Sequence, residues 1–368
     1  MAVCVLTGCT SGLGLAILAR LLEHVPRGSV ILAGHRSPSP PPRPTPPHPS
    51  TRLVWIPLDL ASLESVDRFT ERVEQHVAPA SIDCVLLNAA TWNSSFKPTL
   101  AAGGATWSEE FVVNHLAQLR LVRRLAPLLA AQSRTVFTSS SLQNSVPLAS
   151  IDDVVDVLKD PTHARSTPRN RYAASKLVQS VAFDQLQRAL TTEVVGVSPG
   201  FVPTTGLSRD SPWWQQMVMR WLVYYLPFCS TEEQGATKIL ECLNYLFPTN
   251  PFPSSALDSQ LAQTVRPSVG NADSPASCES SHVYAPDRAA RASDRLTRVA
   301  FHPASLSPLE STSTAPLYHQ LRQFMQQGAT AYHDAPTGEA ENEESRRAGA
   351  RGAWEETMRQ LTDGTAAT

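Results

Sequence analysis

Residues 2–25 read "AVCVLTGCTSGLGLAILARLLEHV", and the order of events inside them decides the fold. A short apolar run of strand length ends at Gly8, a glycine-rich turn follows, and a helical pattern opens at Leu13. The turn "TGCTSGLG", residues 7–14, therefore sits directly between a strand and a helix. There Gly8, Gly12 and Gly14 let the backbone bend sharply. They also let a pyrophosphate approach the N-terminal N–H groups of the helix, where the helix dipole favours negative charge. The same glycines could form a turn with no ligand, but strand, turn and helix together favour the phosphate.

Outward from this stretch the alternation continues. "SVILAG" and "TRLVWIPLDL" read as strands, "SLESVDRFTERVEQHV" as a helix with Ser62 as N-cap, and "IDCVLLNAA" as a strand. "WSEEFVVNHLAQLRLVRRLAPLLAAQ" reads as one long helix, followed by strand "RTVFTSS", helix "YAASKLVQSVAFDQLQRAL" and strand "EVVGVSPG". "STEEQGATKILECLNYLF" opens on a capping box from Ser230 to Glu233. Apolar strands alternating with helices of this length predict a doubly wound α/β fold, a parallel sheet covered on both faces. One domain, residues 1–248, holds this pattern. Inside it the proline-rich "SPSPPPRPTPPHPS", residues 37–50, reads as an extended surface loop. Residues 249–335, rich in Pro, Ser, Ala and Asp, read as an irregular insertion, and residues 336–368 as a closing helical segment around "RGAWEETMRQL".

Composition narrows the class. The chain has 368 residues, 42% of them hydrophobic, enough for one large core or two smaller ones. A formal net charge of −2 gives no reason to expect a nucleic-acid partner. The six cysteines contain no CxxC pair, and Cys4 and Cys84 fall inside apolar strand-like runs. They read as reduced thiols of a soluble, cytoplasmic protein. No secretory pattern opens the chain, and the longest apolar run, around "WLVYYLPF", is too short for a membrane span.

Further signals gather at the carboxyl ends of strands, where open α/β sheets bind ligands. Asp59-Leu60 ends the third strand, where a carboxylate can accept a hydrogen bond from an adenine amino group; as a structural residue Asp59 would instead cap the next helix. Asn88-Ala89-Ala90 ends the fourth and places small residues beside a cofactor. The second strand ends in "AGHRS", with no acid for a ribose 2′-hydroxyl. Arg36, helped by His35, can meet a 2′-phosphate instead, so NADP(H) is favoured over NAD(H). In "NRYAASKL", residues 170–177, Tyr172 and Lys176 stand four apart on a predicted helix and point into the same space. A lysine stem packed along a phenol ring would give the same spacing.

"TGCTSGLG", "NAA", Asn114 in "VVNHLAQL", the serines of "VFTSS", "YAASK" and "PGFVPT" occur in the order and approximate spacing of the short-chain dehydrogenase/reductase family. The chain resembles that family over residues 1 to about 245. Within it the sequence is similar to the retinol dehydrogenase and protochlorophyllide reductase-like group, through "TTGLSRDSPWW", "FCSTEEQGATKIL" and the terminal "AWEETMRQLTDG". Light-dependent protochlorophyllide reductases carry a cysteine just after the PG, where this chain has Phe201, so pigment reduction is not expected.

The resemblance implies a Rossmann fold and a tetrad of Asn114, Ser140, Tyr172 and Lys176, with no metal. Tyr172 would protonate the forming alkoxide. A phenol titrating near pH 10 in water is too weak an acid for that, and the Lys176 ammonium with the charge of an oxidised nicotinamide would lower its pKa. Lys176 would also hold the nicotinamide ribose, and Ser140 would hydrogen-bond the substrate oxygen. Asn114 would fix a water joining Lys176 to solvent. "TSSS" offers Ser139, Ser140 and Ser141, of which the family register selects Ser140. Ser11 and Leu13 would join the glycines at the phosphates, while Pro199, Gly200, Val202 and Thr204 would close over the nicotinamide.

"SPWWQQMVMRWLVYYLPF", residues 211–228, places Trp214, Val218, Trp221 and Tyr225 on one helical face. Family members use this region as a lid over the substrate; a core or subunit-interface helix reads equally well. The expectation is an NADP(H)-dependent oxidoreductase moving hydride between nicotinamide and the carbonyl or alcohol of a lipophilic small molecule. A retinoid, a steroid or a polyketide of secondary metabolism would suit. The alternative is a non-catalytic NADP-binding regulatory or scaffold protein. The oligomeric state stays open, a homodimer included.

Overall fold

In the computed structural model, which describes residues 1–37, 48–101, 105–190, 192–202, 230–244, 246–247, 252, 283–284 and 315–327, strand β1 (Val3–Thr7) is buried at every position. A strand can be apolar throughout only where layers cover both its faces. After α1 (Gly12–His24), β2 (Val30–His35) pairs parallel with β1, and β3 (Arg52–Pro57) parallel with β2. Ser62 caps α2 (Leu63–Val77) by accepting the Ser65 N–H, as expected. The chain then returns to the other side of β1, where β4 (Ile82–Leu87) pairs. An antiparallel hairpin of β5 (Pro98–Leu100) and β6 (Thr106–Ser108) follows. Next come α3 (Glu109–Phe111), a π-helical turn at Val112–Leu116 and α4 (Ala117–Leu125). The remaining elements are β7 (Leu129–Thr138), α5 (Ile151–Lys159), α6 (Pro168–Ala189), β8 (Glu193–Val197), α7 (Glu232–Glu241), β9 (Val283–Tyr284) and α8 (Ala315–Gln327).

The sheet order is β3-β2-β1-β4-β7-β8-β9. All neighbours are parallel except β9, which pairs antiparallel with β8 at the edge. The chain winds from β1 out to β3, then from β4 out to β8 on the opposite side. The carboxyl ends of β1 and β4 therefore mark the reversal where such sheets bind ligands. This is the doubly wound α/β fold that the alternation predicts. Helices α1 and α7 pack together over one face, around Leu6, Ile17, Leu21 and Leu240. Helices α2, α4 and α6 cover the other, around Phe69, Leu116, Leu121 and Leu177. Fully burying each such side chain contributes roughly 1.5–3 kcal/mol.

Three expectations need correction. Residues 107–132 do not form one helix. Trp107 and Ser108 belong to β6, and Pro127, in a 3-10 turn at Ala126–Leu128, ends the helix because its ring offers no N–H. The capping box of α7 runs from Thr231 to Gln234, one residue later than Ser230 to Glu233. Ser230 donates its N–H to Phe201 O at 2.8 Å, which ties it to the segment after β8 and leaves Thr231 to start the helix. Within 249–335, read as irregular, β9 extends the sheet and α8 packs on α5 and α6 with Leu317, Tyr318 and Leu321 buried. Apolar residues three and four apart give α8 one face to bury. Most of the proline-rich loop, the 211–228 stretch and residues 336–368 lie outside the described residues. Among the described residues no helix is long and apolar enough to cross a membrane.

Candidate active site

The turn between β1 and α1 is built from backbone. Gly8 and Gly12 sit at φ +66° and +52°, the left-handed region that glycine enters without strain. A Cβ on Gly8 would stand 2.6 Å from Ala89 Cα, and one on Gly14 would stand 1.8 Å from Gly8 O. Asn88, just past β4, donates from Nδ2 to Gly8 O at 3.0 Å and accepts from Thr138 Oγ1 at 3.3 Å. The Ala89 N–H donates to Thr7 Oγ1 at 3.3 Å. Ser11 holds the N-cap position of α1, yet its side chain makes no capping bond. The first N–H groups of α1 are thus left for an anion. Backbone close enough for a pyrophosphate and an uncapped helix start together fit a dinucleotide.

The other residues expected at the cofactor lie past the carboxyl ends of β2, β3 and β8 and at the start of α1. Leu13, Pro199 and Val202 converge on Gly235 of α7, where an added Cβ would meet them at 3.0, 3.2 and 3.4 Å. Gly200, at φ +86°, lies against Ser230. Thr204 falls outside the described residues. Asp59 sits half-buried just past β3, its Oδ1 accepting the Ala61 N–H at 3.0 Å, with Leu60 buried beside it. Arg36 is exposed at the end of β2. His35 does not stand with it. Its ring is 5% exposed, edge-on to Trp55, with Nδ1 3.0 Å from Ser37 O, so it is turned into the protein.

Helix α6 carries Tyr172 and Lys176. Thr167 caps it by accepting the Asn170 N–H, and Pro168 occupies the first turn, where a missing N–H costs nothing. Ser140, whose Oγ accepts the Leu142 N–H at 3.3 Å, is the polar side chain near enough to the Tyr172 hydroxyl to lower its pKa. Ser139 is turned away, donating to Gln143 Oε1 at 2.9 Å, so Ser140 is the serine that meets the phenol. Lys176, 1% exposed, donates from Nζ to Thr138 O at 2.8 Å and to Gln179 Oε1 at 3.2 Å. That nitrogen lies 6.0 Å from the centre of the Tyr172 ring.

The electrostatics reverse one expectation. Burial pushes the Tyr172 hydroxyl up to about 12, and the Ser140 hydrogen bond recovers only part of that. Burial also brings the Lys176 amine down to about 7. The lysine does not by itself acidify the phenol, because its nitrogen stands over the ring and is itself desolvated.

Asn114 lies in the π-helical turn, a distortion frequent at functional sites. Its expected task was to hold a water, but its side chain is taken up by protein. Oδ1 accepts the Thr91 N–H at 2.8 Å, while Nδ2 donates to Thr91 O and to Ser175 Oγ, each at 3.0 Å. Its backbone carbonyl accepts from Gln179 Nε2 at 2.6 Å. Gln179 Nε2 also donates to Gln118 Oε1 at 2.8 Å, and Gln118 Nε2 donates to Ala89 O at 2.6 Å. Two glutamine amides thus fill the space beneath Lys176.

Sequence reasoning passed over Gln118 and Gln179, although Gln179 stands three residues after Lys176 on the same helical face. It also passed over Trp92, whose ring stacks on Tyr172 at 4.8 Å between centroids and 28° between planes. No spacing rule would single out a lone tryptophan in a loop.

Residues 2–150 match the family model described as short chain dehydrogenase. A short-chain dehydrogenase/reductase of Pestalotiopsis microspora is 38% identical over 157 residues, 42% of this chain and 53% of that protein. The chloroplastic protochlorophyllide reductase B of Hordeum vulgare is 28% identical over 240 residues, 56% of this chain and 58% of that protein. Among solved structures, an alcohol dehydrogenase from the archaeon Thermococcus sibiricus complexed with 5-hydroxy-NADP aligns at 18% identity and a TM-score of 0.44, over 67% of this chain and 91% of that one. The chain spans about half the length of the curated relatives it matches.

Proposed function

We propose that this chain, which belongs to the short-chain dehydrogenase/reductase family, is an NADP(H)-dependent enzyme that interconverts a carbonyl and an alcohol on a lipophilic small molecule, with Tyr172 as proton donor. The observation that carries this is Lys176 Nζ held at Thr138 O, at the carboxyl end of β7, 6.0 Å from the centre of the Tyr172 ring and tied through Thr138 and Asn88 to the glycine turn. When bound, the nicotinamide cofactor supplies or takes the hydride.

The residues divide the remaining work. Gly8, Gly12, Gly14 and the start of α1 hold the pyrophosphate, and Arg36 meets a 2′-phosphate. Ser140 and Tyr172 present two hydroxyls to one substrate oxygen. In reduction that oxygen takes the Tyr172 proton, which solvent later replaces. The charge of the oxidised nicotinamide, when bound, would supply the lowering of the hydroxyl from about 12 that Lys176 alone does not. Lys176, with its amine near 7, exchanges charge close to neutral pH and holds the ribose. Asn114 acts as a brace for the Thr91 backbone. Phe201, 41% exposed directly after Gly200, suits a lipophilic substrate and stands where pigment reductases have cysteine. Retinoids, steroids and polyketides share that chemistry. Residues 1–248 would form the catalytic domain, with 249–335 as an insertion whose α8 docks on α6.

The test is NADPH oxidation, followed by its absorbance, across a panel of ketones and aldehydes. Wild type should turn over at least one of them. Tyr172→Phe should lose roughly 10²–10⁴-fold in kcat and keep its NADPH affinity. A variant that retains most of its turnover sinks the assignment. NADPH binding with no turnover of any substrate would favour a regulatory binding protein instead.

A further inference from the structure

The loop after β4 is fixed more firmly than a connection requires. Trp92 sits between Thr91 and Asn93, and the backbone of both neighbours is gripped by buried side chains. Asn114 makes a two-bond clasp on Thr91, accepting its N–H at 2.8 Å and donating to its carbonyl at 3.0 Å. Glu110 Oε1 accepts the Asn93 N–H at 3.2 Å, and Arg171 donates to Asn93 O at 3.1 Å. The Asn93 side chain, 0% exposed, donates to Glu109 Oε2 at 2.9 Å. Glu110 and Arg171 pair at 3.3 Å with side-chain exposures of 0% and 3%. Taking two charges out of water is costly, and a buried pair of this kind is weak evidence for stability. What it does secure here is position, since Arg171 directly precedes Tyr172 in α6. One turn of helix thus carries the phenol and anchors the loop whose indole lies on that phenol.

We propose that Trp92 is the wall of the substrate site, a rigid indole face beside the Tyr172 hydroxyl that selects flat, conjugated or aromatic carbonyl compounds over saturated ones of equal size. This rests on the reading of Tyr172 as proton donor and narrows its substrate class. Trp92 is partly exposed whereas Tyr172 is 5% exposed, so the indole shields the phenol ring and keeps surface of its own open to a ligand. Aromatic faces gain from offset stacking beyond what burial alone gives. A saturated ring of similar area gains only the burial. Because the loop is clasped on both sides, the backbone that carries the indole cannot retreat to admit a thicker substrate without breaking buried hydrogen bonds.

Acetophenone and cyclohexyl methyl ketone form a matched pair, equal in carbon skeleton and different in planarity. Wild type should prefer acetophenone in kcat/KM. Trp92→Leu should cut that preference by roughly two- to twelvefold, mostly through KM, and Trp92→Phe should restore most of it. NADPH affinity and Tm, measured on both variants, identify any loss of fold; should Trp92→Leu fail to fold, the ratio in Trp92→Phe against wild type decides. An unchanged ratio, or equal losses on both ketones in a folded variant, overturns the proposal. Ligand-observed NMR of both ketones with the protein and NADP⁺ gives a second readout that needs no turnover. An aryl preference in binding that depends on Trp92, without turnover, would leave the wall standing and remove the oxidoreductase reading.

Discussion

The two halves of the site are made of different materials. On the nucleotide side, the β1–α1 turn is backbone: glycines with positive φ, a Cβ-free approach of Gly14 to Gly8 O, and a helix start with no side-chain cap. On the substrate side, the phenol and the amine sit in a web of buried side chains. That web runs from Asn114 and Gln118 through Gln179 to Lys176, and from Glu110 through Arg171 to the Trp92 loop. A backbone site depends on a few neighbouring residues in sequence. A side-chain web depends on partners that only the fold brings together. The first should fail abruptly when a single atom is added, and the second should fail by degrees and by shifts in pH.

The largest effect should therefore come from one glycine. Gly14→Val places Cβ 1.8 Å from Gly8 O, and the obstacle is backbone that cannot rotate away. Asn88 Nδ2, 2.6 Å from the same point, would be displaced as well, and with it the tie between β1 and β4. The variant should lose NADPH binding by more than about 100-fold and lose roughly 4 kcal/mol or more of stability, the range of severe overpacking and strain. Fluorescence titration and urea unfolding measure the two losses. Affinity near wild type would mean that the turn does not hold the nucleotide.

On the substrate side, Gln179→Glu should act through charge. The new carboxylate would face Lys176 Nζ, 3.2 Å from the present amide oxygen. An opposite charge at that range should raise the amine from about 7 by roughly 1–3 pH units. The limb of the kcat/KM profile governed by Lys176 should move to higher pH by the same amount. Stability follows with a definite sign. The wild-type amine titrates near 7 in the fold and near 10.5 when unfolded, so the unfolded chain binds more protons between those values and stability climbs with pH there. Raising the folded value shortens that climb from its lower end. The variant also loses the donors to Asn114 O and Gln118 Oε1, a cost of about 1–3 kcal/mol. A pH profile and a pH series of unfolding midpoints that both coincide with wild type would show that Gln179 does not govern Lys176.

The same contrast explains what could be read from the sequence. The β1–α1 unit was legible because its chemistry lies within residues 3–14 and glycine spacing is rigid information. Strand and helix alternation was legible because period and length separate the two. The long helix was misread because Pro127 and the π-helical turn at Val112–Leu116 interrupt a pattern that stays apolar throughout. That Tyr172 and Lys176 share a helical face was legible through their spacing, whereas the contacts of Asn114 were not. Its partners, Thr91 and Ser175, stand 23 and 61 positions away. Trp92 shows no periodicity at all, and its clasp joins Asn93 to Arg171 across 78 positions. The Tyr172 hydroxyl value depends on burial, a property of the whole fold.

The smallest effect belongs to Arg36, the side chain assigned to the 2′-phosphate. It sits exposed past β2, where no acid competes for a ribose hydroxyl, and His35 is turned inward and leaves it alone. An exposed guanidinium on a phosphate is worth little compared with a buried contact, because water and salt screen it. Arg36→Ala should lower the ratio of kcat/KM for NADPH over NADH by about tenfold, close to 1.4 kcal/mol, without changing Tm. That ratio should also shrink for wild type as ionic strength rises, and stay flat for the variant. Equal use of both cofactors by wild type, or a preference that survives the substitution, would move 2′-phosphate recognition away from this side chain. The phosphates would then be held by backbone alone, and the contrast between the two halves would be sharper still.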